Sequence, residues 1–182
     1  MVTMLGKTNS GKDSIVNKLV KEHGFKRAIT YTTRPMRDGE VQGSTYHFIN
    51  DYEFDAKVKE GFFAEYKTYE TAFGICKYGS SKESYINSDK KTIIILTPDG
   101  YRDVLNTLDP KLTAIYIYAN NQTIKERLKK RGDNKEEAER RLLHDNEDFK
   151  GVENIVGKIV YNNKSNNIDD VVNTIVKYLE GR

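Results

Sequence analysis

Met1–Ser14 reads MVTMLGKTNSGKDS, and the interpretation of the rest of the chain hangs from it. A short apolar run (Val2, Met4, Leu5) stops at Gly6. Four residues lead to Gly11-Lys12, and apolar residues then return at helical spacing at Ile15, Val16, Leu19 and Val20. Strand, glycine-bounded loop and helix, in that order, are what a phosphate cradle requires. The backbone N–H groups of a loop containing Gly6, Asn9, Ser10 and Gly11, with the positive end of the helix, point at an anion, and Lys12 reaches its terminal phosphates. A Gly-Lys pair can also simply start a helix after a turn, but here all three elements fall in place together. The residue after Lys12 is Asp13, where Ser or Thr is usual, and Ser14 follows one place later. Ser14 is read as the hydroxyl near the phosphates, and Asp13 is the discordant residue.

Composition bounds the answer without deciding it. A chain of 182 residues, 37% hydrophobic and 31% charged, is long enough for one domain with a real core. A net charge of +3 is a mild basic excess that suits small anions as readily as nucleic acid. The single cysteine, Cys76, excludes an intramolecular disulfide and a CxxC metal site, consistent with a reducing compartment. No signal-type stretch or membrane-length apolar run is present, so a cytoplasmic protein is expected.

Along the chain, Lys12 to His23 is expected as a helix ended by Gly24, with His23 suited to its last turn. A helix from Asp51 to about Lys59 and a strand from Phe62 to Tyr66 follow. Thr92–Thr97 and Lys111–Ala119 are near-continuous apolar runs, as expected for strands buried on both faces of a parallel sheet. Asn121 is expected to cap a helix from Gln122 to about Lys130. A helix from Lys135, a strand from Ile155 to Tyr161 and an amphipathic helix from Ile168 to Leu179 complete the series. This alternation implies an α/β fold, a parallel sheet with helices on both faces and ligands beyond the carboxyl ends of its strands.

The segment Ala28–Asn50, AITYTTRPMRDGEVQGSTYHFIN, is the most informative after the loop. Arg34 and Arg37 flank Pro35 in an extended or turned stretch where both guanidinium forks can converge. Asp38-Gly39 and Gln42-Gly43 mark turns, and Ser44–Asn50 alternates as a strand with Tyr46, Phe48 and Asn50 on one face. Two guanidinium groups plus a phenol suit a phosphate monoester. A charged surface hairpin would leave the three without a common target.

The run Thr32–Phe48, TTRPMRDGEVQGSTYHF, resembles the monophosphate-binding signature of guanylate kinases, and with the loop at Gly6 the resemblance spans nearly the whole chain. It implies a P-loop NTPase-type core (1–33, 89–131 and 151–182), an inserted monophosphate-binding subdomain at about 34–88 and a lid at about 132–150. It implies ATP on the Gly6-to-Ser14 loop and GMP or dGMP on the inserted subdomain, with Mg²⁺ accompanying ATP. Arg34, Arg37 and Tyr46 would hold the GMP phosphate and Glu40 would brace them. Thr30, Glu65 and Ser80 would lie at the guanine, and Tyr78 would add a second phenol to the phosphate. Lys12, Arg34, Arg131 and Arg141 would carry catalysis, the last two from the lid, and Asn162-Asn163 would lie near the adenine. No nucleic acid or membrane partner is implied, and the protein would be a monomer or homodimer.

Two departures stand out. Acidic residues are usual in that family at the end of the Thr92 strand, whereas Leu96-Thr97-Pro98-Asp99 stands here, leaving Asp13, Ser14 and Asp99 as candidates to hold Mg²⁺ through its water. The segment between Glu65 and Tyr78 is also longer by about four residues, around Thr71–Lys77 and Cys76. Alternatives therefore stay open: a kinase for another nucleoside monophosphate, or a catalytically weak binding module of the same fold.

Overall fold

The computed structural model describes residues 1–71, 73–108, 111–131 and 135–181, with the side chains at 131, 135, 137 and 138 outside that description. In chain order the strands are β1 (Val2–Leu5), β2 (Lys26–Arg27), β3 (Tyr31–Thr32), β4 (His47–Phe48), β5 (Phe63–Thr71), β6 (Gly74–Ser81), β7 (Thr92–Ile95), β8 (Thr113–Tyr118) and β9 (Lys158–Tyr161). The helices are α1 (Lys12–His23), α2 (Asp51–Lys59), α3 (Glu83–Ile86), α4 (Pro98–Leu108), α5 (Asn121–Arg131), α6 (Lys135–Asp148) and α7 (Ile168–Glu180). Among the described residues two sheets form. A parallel sheet runs β2-β7-β1-β8-β9, and a mixed sheet runs β4-β3-β6-β5.

The parallel strands are apolar along their length because both faces are covered, and their side chains divide with a period of two. Val2 and Met4, Ile93, and Ile115 and Ile117 pack with Ile15, Val16 and Leu19 of α1 and Val171, Val172 and Ile175 of α7. Leu5, Ile94, Ala114 and Tyr116 face the other way, against Tyr101 and Val104 of α4 and against Phe149 and Val152. Burying each such aliphatic side chain contributes about 1.5–3 kcal/mol, so the two clusters fix which strand ends gather at the loop. A P-loop NTPase-type sheet with helices on both faces is the outcome. No helix among the described residues is long and apolar enough to cross a membrane.

Several boundaries differ from expectation. Helix α1 matches it, with Gly24 left-handed at φ 69 and its N–H bonded to the Leu19 carbonyl. The helix after β8 is capped not by Asn121 but by Asn120, whose Oδ1 accepts from Thr123 N–H at 2.8 Å. The Thr92 strand ends at Ile95 because Pro98 already opens α4. The last strand starts at Lys158, since Val152–Asn154 is a single 3₁₀ turn. Of the stretch Ser44–Asn50 only His47–Phe48 is strand, and β5 runs to Thr71 rather than Tyr66. The longer segment becomes an extended hairpin, with Thr71 paired to Gly74 and Cys76 buried beside the Thr71 hydroxyl at 3.2 Å. Of the expected lid, residues 132–134 lie outside the described residues, as does the Arg131 side chain.

Candidate active site

The loop between β1 and α1 is shaped by its glycines. A Cβ on Gly6 would stand 2.6 Å from Ser10 Oγ and 2.8 Å from the Ile117 carbonyl, and one on Gly11 would stand 2.3 Å from Asn162 Nδ2. Gly11 is also left-handed at φ 95, and Asn9 adopts φ 52. The loop's carbonyls are held by cations and amides. Arg127 Nη1 donates to the Asn9 and Ser10 carbonyls at 3.2 and 3.1 Å, and its Nη2 to the Asn162 carbonyl at 2.9 Å. Asn162 Nδ2 donates to the Ser10 carbonyl at 2.8 Å. Lys12 Nζ donates to the Gly6 carbonyl and, at 2.8 Å, to that of Lys7. With the carbonyls engaged, the N–H groups of Lys12, Asp13 and Ser14 open α1 without intrahelical acceptors, which makes an anion site. Burial lowers the Lys12 pKa, opposed by Asp13 and Asp145. Ser10 Oγ is buried with no hydrogen-bond partner among the described residues. Asp13 is turned onto Arg27 at 2.9 Å, and Ser14 is exposed.

Around β3 and β4 a second cationic constellation forms. Arg34 is 3% exposed, a degree of burial that a guanidinium tolerates only when paired. Its Nη2 donates to Glu40 Oε1 at 2.7 Å and its Nη1 to the Pro35 carbonyl at 2.6 Å, and Glu40 Oε2 accepts from the Arg37 backbone N–H at 2.8 Å. Glu40 thus ties the Arg34 guanidinium to the Arg37 backbone N–H. Burial pulls the Glu40 carboxyl upward, but Arg34 and the Arg37 N–H together hold it below its ordinary value. The Arg34 guanidinium lies 5.7 Å from the ring centres of both Tyr46 and Phe48, and Tyr46 faces Tyr78 at 6.2 Å. Burial pushes the Tyr46 phenol up to about 12, Asp13 adding to the rise while Arg27 and Arg34 oppose it. This arginine–tyrosine cluster and the start of α1 therefore lie within electrostatic reach of each other. Thr30 is anchored there by its carbonyl, which accepts from His47 N–H at 2.8 Å.

A third cluster closes the cleft between β5, β6 and α4. Glu65 is buried, and its Oε1 accepts from the Ser80 hydroxyl at 2.6 Å, while Ser80 Oγ lies 2.7 Å from Tyr85 Oη. Burial raises the Glu65 pKa and the Ser80 bond opposes the rise. A Cβ on Gly100 would meet Glu65 Oε2 at 3.0 Å, so the glycine leaves room for that oxygen. After the end of β7, where the sequence lacks the acidic residues usual in the family it resembles, Thr97 Oγ1 accepts from Tyr69 Oη and from Gly100 N–H, each at 3.2 Å. Asp99 pairs with Arg102 at 2.8 Å.

Helix α6 reaches both the loop and the hairpin. Asp145 Oδ2 accepts from Thr8 N–H at 2.5 Å, Asn146 Oδ1 accepts from Lys7 Nζ at 2.6 Å, and Arg140 Nη2 donates to the Glu70 carbonyl at 2.9 Å. Arg141 sits on the same helix, half-buried. Asn163, expected near an adenine, accepts from Asn120 N–H at 2.9 Å, and Asn162 is committed to the loop. Sequence reading missed Arg127, Asp145, Asn146 and Tyr85. Only Arg127 carried a signal, one helical turn before Arg131 on α5.

Comparison with known proteins agrees with this geometry. A family model described as guanylate kinase matches residues 1–181. The guanylate kinase of Wolinella succinogenes is 31% identical over 152 residues, covering 79% of this chain and 68% of that protein. That of Sulfurimonas denitrificans is 30% identical over 148 residues, covering 78% and 70%. The crystal structure of guanylate kinase from Anaplasma phagocytophilum superposes with a TM-score of 0.72 at 18% identity, over 100% of this chain and 84% of that one, a likeness of fold. A match along the whole length, relatives above 30% identity and a loop built for phosphate together place the chain in the guanylate kinase family.

Proposed function

We propose that the chain transfers the terminal phosphoryl group of ATP to GMP or dGMP, giving GDP or dGDP and ADP. The observation that carries this reading is the meeting of two anion-binding constellations. Tyr46, whose ring lies beside Arg34, is within electrostatic reach of Asp13 at the start of α1 and of Arg27 of β2, which pairs with Asp13. Phosphoryl transfer asks little covalent chemistry of a protein and much positioning and charge neutralisation. In this reading Lys12 and the N–H groups of the α1 start neutralise the ATP phosphates. Arg34, Arg37, Tyr46 and Tyr78 aim the GMP phosphate in line, with Glu40 as their brace. Glu65 and Ser80, with Thr30 beside them, take the guanine edge, and Arg131 and Arg141 of the lid approach the transferring group. Residues 34–88 and 132–150 are the parts that close over the nucleotides, which excludes water and so suppresses hydrolysis.

The residues present fit a Mg²⁺ that arrives on ATP rather than one held by a protein cage. Asp13 is committed to Arg27 and Asp99 to Arg102, and no cluster of three metal-ligating side chains exists among the described residues. Mg²⁺ keeps several waters and is commonly held by substrate phosphates with few protein ligands; in this reading Ser14 would be the hydroxyl that assists it. Bound in this way the ion supplies charge neutralisation between the terminal phosphates.

The test is ADP release measured by a coupled assay with GMP, dGMP, AMP, CMP, UMP and dTMP as acceptors. Strong turnover with GMP and dGMP is expected. Folded protein that releases no ADP with GMP overturns the reading and leaves a binding module; preference for another acceptor overturns the substrate alone.

A further inference from the structure

We infer that Tyr85 is a positioning residue for base selection, its phenol donating to Ser80 and thereby aiming the Ser80 hydroxyl at Glu65. The inference rests on the proposal that Glu65 reads guanine, and it assigns to that site a residue outside the set the sequence pointed to.

Ser80 has one hydroxyl proton, and an ionised carboxylate has none. At 2.6 Å from Glu65 Oε1, Ser80 Oγ must be the donor, so its 2.7 Å contact with Tyr85 Oη can be satisfied only if the phenol donates. The chain therefore runs one way, from Tyr85 to Ser80 to Glu65. Water cannot replace any link readily, since Ser80 is 0%, Tyr85 7% and Glu65 9% exposed. Without the phenol the Ser80 hydroxyl is still a donor, but its oxygen loses the bond that fixes its rotor and strengthens its donation.

Tyr85 is suited to this role by its place in the fold. It lies on the short helix α3, five residues past Ser80 and four past the end of β6, and its backbone N–H is held by the Lys82 carbonyl at 3.1 Å. Its ring packs in the apolar cluster with Leu5, Ala64, Ile94 and Leu96. The ring is thus a core element and the hydroxyl a separate, addressable part. Glu65 Oε2 stays on the Gly100 side, where a bare backbone leaves room. The consequence is a carboxylate with one oxygen tethered and its plane set before the base arrives, which is how a site avoids spending binding energy on orientation.

The same chain sets the protonation of Glu65. Burial raises its pKa, Ser80 lowers it, Asp103 of α4 raises it and Lys67 of β5 lowers it; Tyr69 of β5 and Tyr85 of α3 are the neighbouring phenols. Only the ionised form accepts both donors of guanine. Weakening the Ser80 bond lets the pKa rise further, so guanine recognition is lost at a higher pH as the solution is acidified.

Tyr85→Phe keeps the ring and removes the hydroxyl. Expected for this variant are a KM for GMP raised about three- to tenfold, the range for loss of one buried hydrogen bond, kcat within about twofold, KM for ATP unchanged, and the acid limb of kcat/KM for GMP moved to higher pH. In a Ser80→Ala background the same change is expected to add nothing, because the relay has already been cut. A Tyr85→Phe enzyme with unchanged KM and acid limb overturns the inference, as does an equal penalty in the Ser80→Ala background. A wild type that phosphorylates AMP as well as GMP overturns the base reading and this inference together; a wild type that prefers GMP, with that preference lost in Glu65→Gln but the acid limb unmoved in Tyr85→Phe, overturns this inference alone.

Discussion

Asp145 on α6 accepts a hydrogen bond from the backbone N–H of Thr8 at 2.5 Å, so a carboxylate of α6 sits at the mouth of the loop between β1 and α1. Its pKa is raised by burial, while the Thr8 N–H, Lys12 and Lys7 draw it back. A triphosphate entering the loop meets that negative charge. Asp145→Asn retains an oxygen for Thr8 but removes the charge, so KM for ATP is expected to fall about three- to tenfold, or roughly 0.6–1.4 kcal/mol. Steady-state kinetics at saturating GMP measure it. An Asn variant with KM for ATP equal to or above the wild type shows that the carboxylate positions the loop without competing for it.

Glu40 and Arg34 form a largely buried ion pair, 2.7 Å apart. Glu40→Gln leaves a nearly buried guanidinium without its counter-charge, and loss of about 3 kcal/mol of stability is expected. The pH dependence follows from the lowered pKa of Glu40. A carboxyl whose folded pKa is depressed contributes stability above its unfolded value, near 4.5, and loses it as pH falls through the folded value. Thermal melts from neutral pH into this acid window are expected to show a steeper decline for wild type than for the Gln variant. Parallel curves would mean that the pair contributes little.

How much of this was legible beforehand divides along a physical line. Apolar runs and a glycine closing a helical pattern are local signals, and they located β7, β8 and Gly24; Glu40 beside Arg34 was implied only by the resemblance of Thr32–Phe48 to the guanylate kinase signature. What escaped reading depends on contacts between distant segments. Thr8 and Asp145 are separated by 137 positions, and Arg127 meets Asn9 and Ser10 across more than a hundred. Nothing in the composition of α6 distinguishes Asp145 from a solvated helical acid, and Tyr85 reads as a core aromatic because its ring is one. The Asn120-for-Asn121 cap is a different error. Two adjacent asparagines offer the same chemistry, and only the backbone geometry of the cap separates them.

Asp13, the residue that interrupts the loop pattern, is bound to Arg27 in a pair whose aspartate is largely exposed. Exposed pairs contribute about 0–1 kcal/mol, so Asp13→Ser is expected to change melting temperature little. Since the carboxylate is already paired with Arg27, kcat at saturating Mg²⁺ is expected to stay within tenfold of wild type. A gain above tenfold would identify Asp13 as a defect of a decaying loop.

Glu65 separates function from stability most cleanly. Guanine presents N1–H and its exocyclic amino group on one edge, two donors for one carboxylate, whereas adenine presents a bare acceptor there. Hydrogen bonds to a charged group contribute roughly 1.5–3 kcal/mol, so Glu65→Gln is expected to cut kcat/KM for GMP about ten- to a hundredfold and to narrow the preference over AMP. The folded state holds this carboxyl with a raised pKa, chiefly through burial. Ionising it at neutral pH therefore opposes folding, and that opposition is relieved as pH falls through the folded value. The neutral Gln variant, still able to accept from Ser80, is expected to melt at or above the wild-type temperature at neutral pH. Activity lost with stability held or gained is the mark of a residue kept for its ligand. A Gln variant that melts well below wild type would instead make Glu65 a structural member of the β5–β6 sheet, and its effect on GMP turnover would follow from misfolding.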